Sequence, residues 1–425
     1  MKILFLQKRC LFPPTTGGQI RTLNVLRHLA RWHDVTYLCN WLPGDHAYRG
    51  EMEGLGVRLE TIPWREAPRG SFGFYAGLAA NLFSRFPFNV NKDFDPRLHR
   101  RAKQLIAEND FDLVVCDFVQ MARNAIDLAG PPKLLFQHNV EAQIFERHTR
   151  QAASIARREY MRLQWKKMQR FEGMAGRKFD AVIAVSPQDA ERFANDYGWD
   201  HVKVIDTAVD TDYFSPRPDA PRTNNVVFVG SLDWLPNEDG VRHFVREIWP
   251  AIRARHPEAV FQAVGRNPSP ALQTLSREEG VEIVGTVPDV RPYLAEAAVV
   301  VVPLLVGGGT RMKIYEAMAM RRPVVSTTLG AEGLDVKPGR HMILADTPAE
   351  FARATVSVLE DPETAERLAT AGYERVTNRF SAQSVARQFE SICLDTASAT
   401  CESRLARPEQ ARVCRQPSQP VARTS

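Results

Sequence analysis

The sequence predicts two consecutive α/β units, each built on a parallel sheet. Short apolar runs alternate with helical periodicity along most of the chain, the signature of parallel sheets. The pattern starts afresh at TNNVVFVGSLDW, near the middle. The β-branched run VVVV at 299–302 is followed by Gly307, Gly308 and Gly309 and then by a helical stretch. That strand, glycine loop and helix order suits a ligand at the carboxyl edge of a sheet.

With 425 residues the chain exceeds what one hydrophobic core serves comfortably, so two domains are expected. Hydrophobic residues at 44% and charged residues at 25% describe a globular protein. The formal charge of +5 is too mild to demand nucleic acid, yet it is compatible with a phosphorylated substrate or an anionic membrane face. Six cysteines with no CxxC spacing fit buried thiols in a reducing compartment. The apolar run at 3–6 is too short for a secretory signal, and no stretch reaches the roughly 18–20 apolar residues of a membrane span. A cytoplasmic protein is expected, at most peripheral to the inner face of the plasma membrane.

In order along the chain, strands are expected at 3–6, 35–39, 58–61, 113–117, 133–137, 181–185 and 202–205, with helices over 18–32, 97–109, 140–175 and 187–197. The second half repeats the scheme with strands at 226–229, 260–264, 282–284, 299–302 and 323–326. Pro216, Pro218 and Pro221 favour an extended linker. The expected division is a first domain at 1–210, a linker at 211–224, a second domain at 225–375, a closing helix at 376–395 and a disordered tail at 396–425, rich in Ser, Arg, Gln and Pro.

The glycines at 307–309 let a backbone approach a ligand closely, and Thr310 opens a helix whose first N–H groups lack partners. Arg311 and Lys313 add positive charge, and Glu316 can accept hydrogen bonds from a ribose diol. Together they point to a nucleotide carrying a diphosphate. Gly17 and Gly18 lie between the first strand and its helix, as simple turn chemistry or as the wall of a cleft. His138 ends a strand beside Asn139 and Glu141, where it either caps the next helix or donates to a sugar hydroxyl. Gly230 and Ser231 form another strand-to-helix turn suited to phosphate or a base edge. The basic stretch at 157–178 reads as a solvated helix before it reads as a lipid or nucleic-acid site. The aromatic segment at 71–88 is either core or a lip for an apolar acceptor.

The segments VVFVGSLDWLPNEDG, VEIVGTVPDV and LLVGGGTRMKIYEAMAMRRPVVSTTLGAEGL, with TTGGQIRTLNVLRHLA and FQHNVE in the first half, resemble the group 1 glycosyltransferases, retaining enzymes of family 4. The resemblance covers roughly 1–395 and is similar to a bacterial branch associated with exopolysaccharide or cell-surface glycan synthesis. It implies a GT-B fold: two Rossmann-like domains facing each other across a cleft, with a C-terminal helix crossing back to the first domain. It implies metal-independent transfer of a sugar, with retention, from a nucleoside diphosphate sugar to a glycan or lipid-linked acceptor, and no other cofactor. By resemblance Glu316 is the second acid of the family's Glu, seven residues, Glu motif and holds the donor ribose. The first acid falls on Gly308, so contact with the donor sugar passes to glycine N–H groups and Thr310. The family's Gly-Arg and downstream Lys fall on Gly230-Ser231 and Asn237, which leaves the diphosphate charge to Arg311 and Lys313. Gly17 and Gly18 match its first glycine loop, and His138 the histidine at the transferred sugar. A GT-B epimerase and an inactive sugar-nucleotide-binding protein share the fold and donor site; no nucleic-acid partner is expected.

Overall fold

The computed structural model describes residues 1–14, 16–68, 70–150, 154–221, 223–305 and 312–405. Two compact units emerge: Met1–Asp206 together with the chain from Val385 on, and Thr207–Ser384.

The first unit is a seven-stranded sheet of β1 (Lys2–Gln7), β2 (Asp34–Trp41), β3 (Arg58–Pro63), β4 (Leu113–Asp117), β5 (Lys133–Phe136), β6 (Ala181–Ala184) and β7 (Val202–Val204), in the order β3-β2-β1-β4-β5-β6-β7. All pairings are parallel. Helices cover both faces, so a central strand such as KILFLQ is buried at five consecutive positions rather than alternating. One side of its core joins Leu4, Leu6, Val114 and Leu135 to Met168 and Phe171 of the helix Ile155–Gly176. The strand order reverses between β1 and β4, which opens a crevice at their carboxyl ends.

The second unit repeats the plan with β8 (Asn225–Val229), β9 (Val260–Val264), β10 (Val281–Gly285), β11 (Val299–Val302), β12 (Val324–Ser326) and β13 (Ile343–Leu344), ordered β10-β9-β8-β11-β12-β13. Its switch point lies between β8 and β11. The two-residue β13 was too short to show a period.

Three expectations change. The helix expected over 140–175 is two, Glu141–Arg150 and Ile155–Gly176, because Ser154 starts the second by accepting a hydrogen bond from Arg157 N. The stretch expected as a linker packs instead, with Phe214 and Ala220 on the second unit's core, and Val209, expected in the first domain, bridges in parallel to Ser381 of the second unit. The tail expected to be disordered from 396 is helical to Leu405, within the helix Ala382–Leu405. Val385, Ala386, Phe389 and Cys393 form a fully buried stripe, and Thr396 extends it. A composition averaged over thirty residues hides a stripe of that spacing. The helix returns to the first unit, where the Phe389 ring meets Phe136 at 5.0 Å, the Arg387 guanidinium lies 3.5 Å over Trp32, and Gln388 bonds Asp206. Residues 406–425 lie outside the described ones. No described helix is long and apolar enough to cross a membrane.

Candidate functional site

Polar side chains gather at both switch points. In the second unit β8 runs into Gly230, whose N–H bonds Val264 O at 3.0 Å. A Cβ at Gly230 would lie 2.6 Å from Lys313 Nζ and 2.9 Å from Asn237 Nδ2, so only glycine fits while those groups stay. Lys313, on the helix Met312–Ala319 after β11, donates to Asn237 Oδ1 at 2.7 Å and sits 4.3 Å from the Phe228 ring centroid. Asn237 in turn donates to Ser231 O at 2.8 Å. Segments around 230, 237 and 313 thus meet at one point, with an ammonium held in place by an amide and a ring face.

Glu316 follows one turn along the same helix, half-buried. Its carboxyl is pushed up to about 7 by desolvation, with Lys313 pulling the other way. Among the described residues its side chain has no hydrogen-bond partner, which suits an acceptor waiting for a ligand donor. Gly307, Gly308, Gly309, Thr310 and Arg311 lie outside the described residues.

In the first unit Gly17 and Gly18 form the first turn of the helix Gly17–Trp32, not a loop before it. Thr16 caps the helix and Gln19 completes a capping box. Gly17 faces open space. A Cβ at Gly18 would fall 2.4 Å from the Phe118 ring. Phe118 follows β4 with a φ of 71°, a strained conformation for a bulky residue, and stacks on His138 with centroids 4.1 Å apart.

His138 is 3% exposed. Its Nε2 lies 2.6 Å from Asp117 Oδ1, and its Nδ1 lies 3.2 Å from Arg21 Nη1. A guanidinium only donates, so Nδ1 accepts from Arg21 and the Nε2–H donates to Asp117. Burial lowers the imidazole pKa against the pull of Asp117, which keeps the ring neutral. Asp117 Oδ2 also accepts from Thr22 Oγ1 at 2.6 Å and from Gln7 Nε2. Both ring nitrogens are therefore engaged. The sequence reading gave His138 an N–H for a sugar hydroxyl, and this arrangement leaves none. The cationic member of the chain is Arg21, its pKa lowered by burial and its Nε buried with no hydrogen-bond partner among the described residues.

Asn139 and Glu141 belong to the turn that holds the histidine. Glu141 is buried, and the Glu172 carboxylate accepts from Glu141 N at 3.0 Å, Ala142 N at 3.2 Å, Gln137 Nε2 at 3.1 Å and Tyr197 Oη at 2.8 Å. Glu172 comes from the helix Ile155–Gly176, so the buried side of that basic stretch anchors the turn after β5. Sequence reasoning missed Asp117, Phe118 and Arg21. The strand-final position of Asp117 was the available signal.

Residues 15–213 match the family model of Glycosyltransferase Family 4, and residues 223–361 match that of Glycosyl transferases group 1. The chain belongs to the group 1, family 4 glycosyltransferases. This glycosyltransferase is 19% identical over 398 residues to an uncharacterised 44.6 kDa protein in the cps region of Klebsiella pneumoniae, covering 90% of this chain and 97% of that one. Its fold is similar to Anabaena Alr3699/HepE, solved in complex with UDP and glucose, at a TM-score of 0.59 and 16% identity over 92% of this chain and 98% of that one. It is also similar to sucrose-phosphate synthase from Thermosynechococcus elongatus, at 0.62 and 19% over 94% and 100%. These likenesses establish the GT-B fold of two Rossmann-like domains.

Proposed function

We propose that the enzyme transfers a sugar, with retention of anomeric configuration, from a nucleoside diphosphate sugar to a glycan or lipid-linked acceptor in cell-surface or exopolysaccharide synthesis. The observation that carries this reading is the convergence of Gly230, Asn237 and Lys313 at the β8/β11 switch, with Glu316, whose carboxyl has no hydrogen-bond partner among the described residues, one turn away. The Anabaena neighbour complexed with UDP-glucose and the Klebsiella cps-region relative support the donor class and the branch. Glu316 holds the ribose, while Gly230, Ser231 and the 307–310 backbone approach the diphosphate. When the bond from the anomeric carbon to the diphosphate breaks, negative charge grows on the leaving oxygen. Lys313, fixed by Asn237, and the cation of Arg311 stabilise that charge more than the ground state. The first helix turn at Gly17 and Gly18 offers further N–H groups to an anion. Arg21, braced by neutral His138, acts on the transferred sugar.

The deciding experiment is a thermal-shift screen with UDP, GDP, ADP and their sugars, since a ligand binding only the folded state raises its apparent stability. One nucleoside diphosphate series should shift the melting temperature. Glu316→Ala should weaken that ligand by roughly 1.5–3 kcal/mol, the loss of a charge-assisted hydrogen bond. The carboxyl must be ionised to accept two ribose hydroxyls, so with its pKa near 7 the wild type should gain affinity between pH 6 and 8 beyond any gain in the variant. Calorimetry showing parallel pH profiles would remove Glu316 from the site.

Protein cations take the role of a metal in this mechanism, so transfer should survive excess chelator. Abolition by EDTA with recovery on adding Mn²⁺ or Mg²⁺ would refute the charge assignment to Arg311 and Lys313.

A further inference from the structure

The helix Phe72–Asn81 (FGFYAGLAAN) buries the polar side chain of Asn81 and exposes two of its aromatic rings, Phe72 and Tyr75. Asn81 is 3% exposed, while Phe72 is 90% and Tyr75 60% exposed; just beyond the helix, Leu82 is 47% and Phe83 94% exposed. No charged residue occurs from 70 to 84. A helix apolar on all sides is ordinarily buried, and contiguous exposed aromatic surface marks something that covers it. Its hydrogen bonds to the first unit lie at its ends. Gln164 Nε2 donates to Asn81 Oδ1 at 2.9 Å, Lys167 Nζ to Asn81 O at 2.6 Å and to Leu82 O at 3.3 Å, and Ser71 Oγ caps the start by accepting from Phe74 N. Hydrogen bonds at its two ends and an edge-on contact of Phe74 with Phe88, centroids 5.8 Å apart, hold the helix, and the Phe72 and Tyr75 rings are left to solvent.

The flanks carry a net positive charge. Between 64 and 92 stand Arg65, Arg69, Arg85 and Lys92 against the single acid Glu66, which pairs with Arg9 and Lys92. Arg65 and Arg85 are exposed. Ten residues make a helix of about 15 Å, half the thickness of a hydrocarbon core. Such an element lies in the plane of a membrane surface, with rings at the acyl boundary and cations among the headgroups.

We propose that the helix Phe72–Asn81, with Leu82 and Phe83, docks this enzyme onto an anionic bilayer face. The inference rests on the proposed lipid-linked acceptor only for its purpose, and its test needs no sugar nucleotide. Failure to bind vesicles would leave the donor reading standing, and failure to bind nucleotide would leave the docking surface standing.

The experiment is co-sedimentation of the full chain with sucrose-loaded vesicles of phosphatidylcholine alone and of phosphatidylcholine with 30% phosphatidylglycerol. Binding is expected on the mixed vesicles, falling about fivefold for each engaged cation when the anionic lipid is left out, and weakening with salt. Phe72→Ser/Phe83→Ser should lower the partition constant at least about tenfold with an unchanged melting temperature, since exposed rings contribute little to the fold. Arg85→Gln should lose binding only on the anionic vesicles. Equal binding to both vesicle types, no binding to either, or the same loss in Leu235→Ser, an exposed apolar residue of the second unit, would overturn the proposal. So would capture of a single-stranded oligonucleotide that competes fully with vesicles and ignores Phe72 and Phe83.

Discussion

Lys313→Ala is expected to slow single-turnover sugar transfer about 10²–10³-fold, the scale of removing one preorganised group from developing charge. The ammonium is fixed by Asn237 Oδ1 at 2.7 Å and by the face of Phe228, so little reorganisation is needed when charge appears on the diphosphate. Binding of the intact sugar nucleotide should weaken far less, because the leaving oxygen gains its charge only as the bond breaks and the helix N–H groups remain on the charge already present. Lys313→Arg is a sharper probe. It keeps the charge, but the space above Gly230 is so tight that even a Cβ there would lie 2.6 Å from the lysine nitrogen, and a planar guanidinium needs more room. Recovery to within about tenfold of wild type would mean that charge alone suffices. Single-turnover rates and nucleotide affinity on the same variants decide it; a change confined to affinity would move Lys313 from the reaction to simple binding.

Both sheets were legible in the sequence because strands buried on two faces read as continuous apolar runs, and the helix boundaries at 17–32, 96–108 and 187–197 carry local capping chemistry. Gly230, Ser231 and Lys313 were legible for a similar reason, since glycine turns and cations after strands state their chemistry within a few residues. What stayed hidden depends on partners far away in the chain. Asp117 reads as the end of a strand until His138, Thr22 and Gln7 are seen donating to it. Phe118 shows no sign of its φ of 71°, and Arg21 looks like any solvated helix cation until its guanidinium is found against an imidazole. The buried stripe through Thr396 failed to register because polar residues dilute it. The aromatic segment at 71–88 fits core and lip equally by composition, a choice that only exposure makes.

Arg21 and His138 should behave as one unit. Each alanine substitution is expected to lower the rate of transfer about 10–100-fold with a smaller effect on nucleotide affinity, and the double variant should be little worse than the more damaged single one. The reason is the direction of the hydrogen bonds. The Nε2–H belongs to Asp117 and Nδ1 accepts from Arg21, so the imidazole has no donor left and influences a substrate through the guanidinium it steadies. His138→Gln offers an amide oxygen to Arg21 and should recover part of the loss, whereas added guanidinium ion should rescue Arg21→Ala only while His138 is present. A pH profile gives an independent reading. Burial lowers the imidazole pKa below its usual 6.5, so the neutral ring, and with it the rate at saturating donor, should persist as pH falls through that value and be lost only in more acidic solution, when a proton on Nδ1 would face the arginine charge. The same sign applies to stability: the unfolded chain takes up the proton first, so this histidine costs folding free energy as pH drops below 6.5. Strictly additive losses, or a kinetic pKa at or above 6.5 that vanishes in His138→Gln, would separate the two residues and return His138 to direct contact with the sugar.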